Sequence, residues 1–429
     1  MRQVLKLPAY RRLLTAYTFN ELAWTIGSLA LVLLVYRRTG SAIGAMGFYL
    51  CAQFVPALCS PAIVARLDQR AAGRILPALY TLEGLLFLVL AWLATRFSLV
   101  PVLALALADG IVALSARSLA RTATVAVTSP AGLLREGNAL TNGAFSICYM
   151  VGPALGGLIV EAGGTSAALL TNSGLFALIA VTLATAASLP GASRERAPVA
   201  GRLRAALSYV RTQPAIRALL VLQAGALVFF TISIPVEVVF VQHSLHAGAG
   251  GLGALLSAWG GGVVAGSVIY ARWRRLPGRA LITLGAGALG IGFIAMALAP
   301  SLMAAVIGAV AGGAGNGIEA IAAHTELQEQ TEQRWMALTM SLNESVTQAA
   351  PGVGIVIGGI LAALAGARIA LASAGVGALM VTVAAWIVLR PGAAGRGPGK
   401  SPDGVAANDP ADRGEGKGAA STAGVSGRR

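Results

Sequence analysis

The sequence predicts an all-α integral membrane protein with twelve transmembrane helices in two pseudo-symmetric six-helix bundles. Three observations carry that expectation. The 429 residues are 56% hydrophobic and 11% charged, with a mean hydropathy of +0.75, whereas a soluble chain has about 25% charged residues. Apolar runs of about 20 residues, enough to cross a bilayer as helix, recur along the whole chain. They are continuous, unlike the short alternating segments of a membrane barrel. Charged stretches also return at matching places in the two halves.

The spans fall near residues 14–36, 42–65, 75–95, 98–116, 139–160, 165–189, 218–241, 251–271, 280–299, 301–323, 337–363 and 369–389. The first begins too late and runs too long for a cleaved secretory signal. The segment 190–217 is the longest internal break, basic and marked by Pro190, Pro198 and Pro214. It divides an N-terminal bundle, 1–189, from a C-terminal bundle, 218–390. Residues 391–429 are rich in Gly, Ala, Pro and Ser and are expected to form a disordered cytoplasmic tail.

Basic residues set the expected orientation. With a cytoplasmic N-terminus, 28 of the 32 Lys and Arg fall in cytoplasmic segments, against 4 outside (Arg37, Arg38, Arg96 and Arg368). That bias predicts a multi-pass protein of the bacterial inner membrane with both termini in the cytoplasm. The net charge of +15 then reflects topology and anionic lipid contact rather than nucleic-acid binding. Cys51, Cys59 and Cys148 all lie inside spans and suggest no disulfide framework and no metal site.

The halves echo each other. PAIVARLDQRAAGR at 61–74, between spans two and three, is matched by ARWRRLPGR at 271–279, between spans eight and nine. ALT at 139–141 followed by GPALGG at 152–157 is matched by ALT at 337–339 followed by GVGIVIGG at 352–359. Two six-helix repeats with short loops suggest a transporter whose pathway runs between them near the bilayer midplane.

In order along the chain, YRRLLTAYTF at 10–19, LVLLVYRRTGSA at 31–42, RTATVAVTSP at 121–130, GNAL at 137–140, VGPALGG at 151–157, RLRAALSYVRTQPAIRALL at 202–220 and GLGALLSAWGGG at 251–262 resemble the major facilitator superfamily. The resemblance is specifically to its branch of enterobactin-exporter-like and macrolide-efflux-like proteins, and it covers nearly everything from Tyr10 to Arg390. The resemblance implies that the 61–74 loop closes the cytoplasmic end in the outward-facing state. Asp68, Arg70, Arg74 and Arg121 would form that latch, the carboxylate meeting helix N-terminal amides or neighbouring arginines. Val64 and Gln69 depart from the family's glycine and basic residue, and in the second half Tyr270 stands where an aspartate would sit.

Gly152, Pro153, Gly156 and Gly157 in the fifth span, with Gly143 nine residues ahead of Gly152, partly match the glycine pattern of proton-coupled exporters. The resemblance implies antiport; the residues by themselves equally suit close helix packing.

Acids within spans are the candidates for proton coupling, because each is costly in hydrocarbon. Asp109, Glu344, Glu21, Glu83 and Glu237 are the candidates, with Glu319 near the inner end of the tenth span. Related exporters carry an acid where Trp24 stands here, and Glu21 lies three residues earlier on nearly the same helical face. Trp24, Arg117, Asn316, Asn343 and Gln348 are candidates for the substrate cavity, Arg117 being read at the end of the fourth span. Tyr149, Phe229 and Phe230 are further aromatic candidates for its wall.

Other motifs fail on context. GAGGLG at 248–253 and GAGALG at 285–290 match a dinucleotide-binding pattern but follow no strand. AGRGPGKS at 394–401 lacks the first glycine of a phosphate loop. His243 and His246 are an isolated pair on an outer loop. No nucleophile–base constellation suggests an enzyme, and no cofactor is expected. The expected activity is export of small amphipathic compounds (a drug, antibiotic or siderophore) by proton antiport, from a monomer in the lipid bilayer. Import or flipping of a lipid-like metabolite, or a non-transporting sensor or scaffold, remain as alternatives.

Overall fold

The computed structural model describes residues 3–67, 72–185, 208–273, 275–332 and 335–389. Helix α1 (Pro8–Thr39) opens with a proline in its first turn, where no amide partner is lost, and ends at Gly40. Gly40 has φ 62°, a left-handed cap whose amide returns to the Tyr36 carbonyl. Helix α2 spans residues 42–67: Ala42–Tyr49, a π-helical turn Leu50–Phe54, then Val55–Leu67. Its first turn is capped by Ser41 Oγ, which accepts from the Gly44 amide at 3.3 Å. Helices α3 (Ala72–Thr95) and α4 (Leu99–Thr128) follow.

The next helical stretch, Leu134–Ala184, has 51 residues, about 76 Å at 1.5 Å per residue, against a hydrocarbon core of about 30 Å. Gly164 breaks it with φ 77° and ψ 174°. It is therefore two crossings, α5 (residues 134–163) and α6 (residues 165–184). Among the described residues, eleven helices are long and apolar enough to cross a membrane, and this break raises the crossings to twelve.

The second bundle comprises α7 (Pro214–Val239, prolonged by a π-helical turn Phe240–Ser244), α8 (Ala249–Trp273), α9 (Gly278–Leu298), α10 (Leu302–Gln330), α11 (Met336–Ala365) and α12 (Ala367–Val388). Pro214 begins α7, so the basic break between the bundles ends earlier than expected.

Helix α4 runs 12 residues past the expected end at 116 because no Gly or Pro intervenes before Pro130. Its polar tail is compatible with helix: Thr122, Thr124 and Thr128 each donate to a carbonyl four residues back, at 3.1, 2.9 and 2.8 Å.

The bundles meet at the end holding Thr39, Gly164 and Ala249, called the far end here. One apolar core runs from α1 and α2 through Val236, Phe240, Leu252, Trp259 and Phe293 of the second bundle. A separate core, including Ile216, Leu219, Leu281, Ile318 and Leu327, lies at the near end of the second bundle alone. The bundles are thus fused at the far end and distinct at the near one.

A close seam lies between α5 and α8. Pro153 has no amide to offer the Tyr149 carbonyl, which instead faces Gly260; a Cβ there would sit 2.7 Å from that oxygen. The next amide, Ala154 N–H, donates to Ser257 Oγ at 2.9 Å. Further along, Gly157 and Gly253 lie against each other, and Glu161 Oε2 accepts from the Gly250 amide at the start of α8, at 3.1 Å. Arg37 Nε adds a bond to Gln242 Oε1 at 3.3 Å.

Gly253 faces the Pro153 carbonyl, a backbone atom that cannot step aside. Gly253→Val is therefore expected to hold the far end open. With Cys51, Cys59 and Cys148 replaced and Ser28→Cys introduced, a membrane-impermeant maleimide applied at the far face should react several-fold faster in the Gly253→Val background. An unchanged rate would mean that this seam does not close the far end.

Candidate functional site

Two neighbouring cavities lie behind the seam and share Trp24, Ser28 and Gln53. The first, of about 180 Å³, is walled mainly by the first bundle and reaches α11 through Gln348. The second, of about 250 Å³, lies between the bundles. Helical spacing builds the walls. Asn20, Trp24 and Ser28 repeat every four residues on α1, as do Asp109, Ala113 and Arg117 on α4 and Glu83 and Phe87 on α3. The π-helical turn of α2 carries Gln53 to both cavities.

Arg117 does not lie at a helix end as the span limits suggested, since α4 continues 11 residues beyond it. It is held inside the bundle by Glu21, which is 1% exposed. Arg117 Nε stands 3.3 Å from Glu21 Oε1, and its Nη2 donates to Oε2 at 3.3 Å. The guanidinium also lies over the Trp24 ring, 5.4 Å from its centroid. Arg121, one turn on, approaches Tyr17 of α1.

Glu83 is fully buried, and neither of its carboxylate oxygens has a hydrogen-bond partner. Asp109 lines the same cavity with one oxygen likewise unpartnered. Glu237 lines the second cavity, with Ser233 Oγ donating to its Oε1 at 3.1 Å. Glu344 is exposed rather than buried; it accepts from Gln348 Nε2 at 3.2 Å, one turn nearer the near end than Gln348.

Other candidates are placed less centrally. Asn316, Asn343 and Glu319 line neither cavity. Trp24, Tyr149 and Phe230 do line the second, whereas Phe229 packs on Gly377 of α12. Gly152 and Gly156 seat α5 on Thr25 and Ile26 of α1, and Gly157 and Pro153 seat it on α8. A Cβ added at Gly143 would meet no other helix within 4 Å. Asp68 and Arg70 lie outside the described residues, as does the side chain of Arg74.

A sequence profile for the family described as transmembrane secretion effector matches residues 120–395. The chain belongs to this family of the major facilitator superfamily. An uncharacterized MFS-type transporter of Sinorhizobium fredii is 29% identical over 391 residues, covering 84% of this chain and 90% of that one. Among solved structures, a mutant form of the nucleoside transporter NupG is similar with a TM-score of 0.70 at 14% identity, covering 89% of this chain and 100% of that one. A bacterial homologue of the iron transporter ferroportin, inward-facing, gives 0.67 at 13% identity, covering 88% and 98%. A bacterial homolog of the lysosomal transporter Spinster, inward-facing and unoccupied, gives 0.65 at 14%, covering 89% and 95%. At such identities these structures support the fold alone.

Sequence reasoning missed the cavity residues Gln53, Tyr49 and Trp259 of this major facilitator transporter, and Ser257 of the seam beside them. Gln53 did carry a signal, as a single amide in an otherwise apolar run. The Glu21–Arg117 pair spans 96 residues, and no local spacing announces it.

Removing one partner of a buried pair strands the other charge, at about 3–5 kcal/mol, whereas replacing both with apolar residues is often nearly neutral. Arg117→Met is expected to lower the thermal midpoint of the detergent-solubilised transporter strongly. Glu21→Leu combined with Arg117→Met should recover most of that loss. Purely additive losses in the double variant would show that the pair does not act as a unit.

Proposed function

We propose that the protein is a secondary active exporter of small amphipathic compounds, such as drugs, antibiotics or siderophores, across the bacterial inner membrane. It works as a monomer, by proton antiport with alternating access between two bundles. The observation that carries the reading is the Glu83–Asp109 pair: two carboxylic acids from adjacent helices of one bundle, in one cavity, with three oxygens lacking hydrogen-bond partners. A carboxylate left so in a membrane interior is costly, and taking up a proton removes the charge. Proton exchange at such a pair is set by which end of the protein admits water.

Geometry and charge are compatible with loading from the cytoplasm. The positive-inside bias supports a cytoplasmic near end, and with that orientation fusion at the far end corresponds to an inward-facing state. The inward-facing ferroportin and Spinster homologues share the fold. In this state an exporter loads its substrate, and protons leave the acids toward the cytoplasm. Glu21 is not free for the proton role, being paired with Arg117. Glu344, on the near side of Gln348, lies at the cytoplasmic approach to the cavity.

Inverted membrane vesicles carrying the protein and an internal pH dye test the reading. Addition of an exported compound should move protons. Asp109→Asn and Glu83→Gln should each cut that movement at least tenfold at matched expression. Full proton movement in both variants would sink this assignment of the coupling site. Substrate flux without proton movement would replace antiport with facilitated flow or another ion.

A further inference from the structure

We propose that the second cavity is a site for organic monocations, an aromatic box in which Glu237 is the counter-charge. The proposal rests on this being the substrate cavity of the exporter, and it names the class of compound that cavity selects.

The wall composition carries the argument. Five aromatic side chains line the cavity, from five different helices: Trp24 of α1, Tyr49 of α2, Tyr149 of α5, Phe230 of α7 and Trp259 of α8. Aromatic faces present negative charge density and attract a cation, most strongly when water is excluded. The rings are held by others outside the cavity. Trp259 stacks on Phe293 at 5.0 Å between centroids, and Tyr49 meets Phe48 edge-on at 5.1 Å. The box is therefore preformed, with little ordering left to do on binding.

Charge selects the sign. Among the described residues, Glu237 is the one carboxyl side chain lining this cavity, and no Lys, Arg or His lines it. Ser233 Oγ fixes one carboxylate oxygen at 3.1 Å and leaves the other to meet a ligand. The nearest identified guanidinium, Arg117, lies over Trp24 but lines only the first cavity, and it is already neutralised by Glu21. An anion entering here would be repelled by Glu237, whereas a protonated or quaternary amine would be drawn to Glu237 and to the aromatic lining.

Volume limits the occupant. At about 250 Å³ the cavity is slightly under the range for drug-sized ligands, about 300–1,000 Å³, which fits an ammonium group carried by one ring. A longer body can extend past Trp24, Ser28 and Gln53 into the first cavity, where Glu83 and Asp109 stand. The two acid sites thus divide the work. The pair in the first bundle handles protons, and Glu237 in the second reads the charge of the substrate.

The test is binding to the purified full-length protein in detergent, read by quenching of tryptophan emission, since Trp24 and Trp259 line the site. The probes are benzyltrimethylammonium, its uncharged carbon isostere neopentylbenzene, and benzenesulfonate. The wild type is expected to bind the cation at least tenfold tighter than the neutral isostere, and the anion not measurably. Glu237→Gln should lose that tenfold preference and leave neopentylbenzene binding unchanged, while Glu237→Asp keeps part of it. Equal binding of cation and neutral isostere by the wild type overturns the proposal without any variant. A cation preference that survives in folded Glu237→Gln overturns the role of Glu237. No step of this measurement needs a proton gradient or transport. Cation binding with no substrate-driven proton movement would therefore defeat the antiport reading and leave this one standing.

Discussion

A proline in the middle of α5 removes one backbone donor at membrane depth, where no water can replace it. Much of the contact between the two bundles is arranged around that loss. Ser257 of α8 takes the Ala154 amide, and Gly260 lets the Tyr149 carbonyl come close. The glycines on both sides of the seam follow from the same constraint, since a backbone group can reach a neighbouring helix only where side chains are absent. Pro153 is thus less a kink than an attachment point. It gives one bundle a backbone amide that a serine of the other bundle accepts, and a carbonyl that a glycine lets approach.

The cavities sit behind this seam, and their charge balance depends on the same scarcity of partners. Arg117 could have served as counter-ion to several acids. The four-residue spacing along α4 puts it in the stripe that also carries Asp109, facing α1. Glu21 takes it there, with Trp24 beneath the guanidinium. That pairing leaves Glu83 and Asp109 with no hydrogen-bonded cation, and Glu237 with only a serine. An acid stripped of partners gains little structurally from its charge, which is why these three are better suited to chemistry than Glu21.

The fold was readable from composition and repeat because the bilayer imposes a length on every crossing and a basic bias on one face. Helix ends were read less well. Residues 117–128 look like a loop by hydropathy, yet their threonines bond back to their own helix and keep it going. The acids of the site stood out in the sequence as rare charges in apolar runs. What did not stand out was which acid meets which base, because Glu21 and Arg117 are joined only when α1 and α4 pack. Tyr49 and Trp259 were equally opaque: an aromatic in a span looks alike whether it faces lipid, core or cavity. Helix spacing separated them only after neighbours were known.

A transporter needs two arrangements close in energy, and the seam meets that requirement by its make-up. Between α5 and α8 it consists of glycines, backbone contacts and hydrogen bonds from Ser257 and Glu161, with Arg37 adding a third between α1 and α7 beside the apolar core that the bundles share. Each such bond contributes only about 0.5–1.5 kcal/mol net, so water entering the far end can replace them as the bundles rock. A seam of interlocked large side chains would lose much more on opening and would hold one state. The same argument explains why the acids belong near the seam. Glu237 lies in the bundle that carries Ser257, while Glu83 and Asp109 lie in the bundle that carries Pro153. One rotation of the bundles therefore changes water access to all three together. Occupancy by a proton on one side and by a substrate on the other then biases a single equilibrium, and no separate signal between the sites is required.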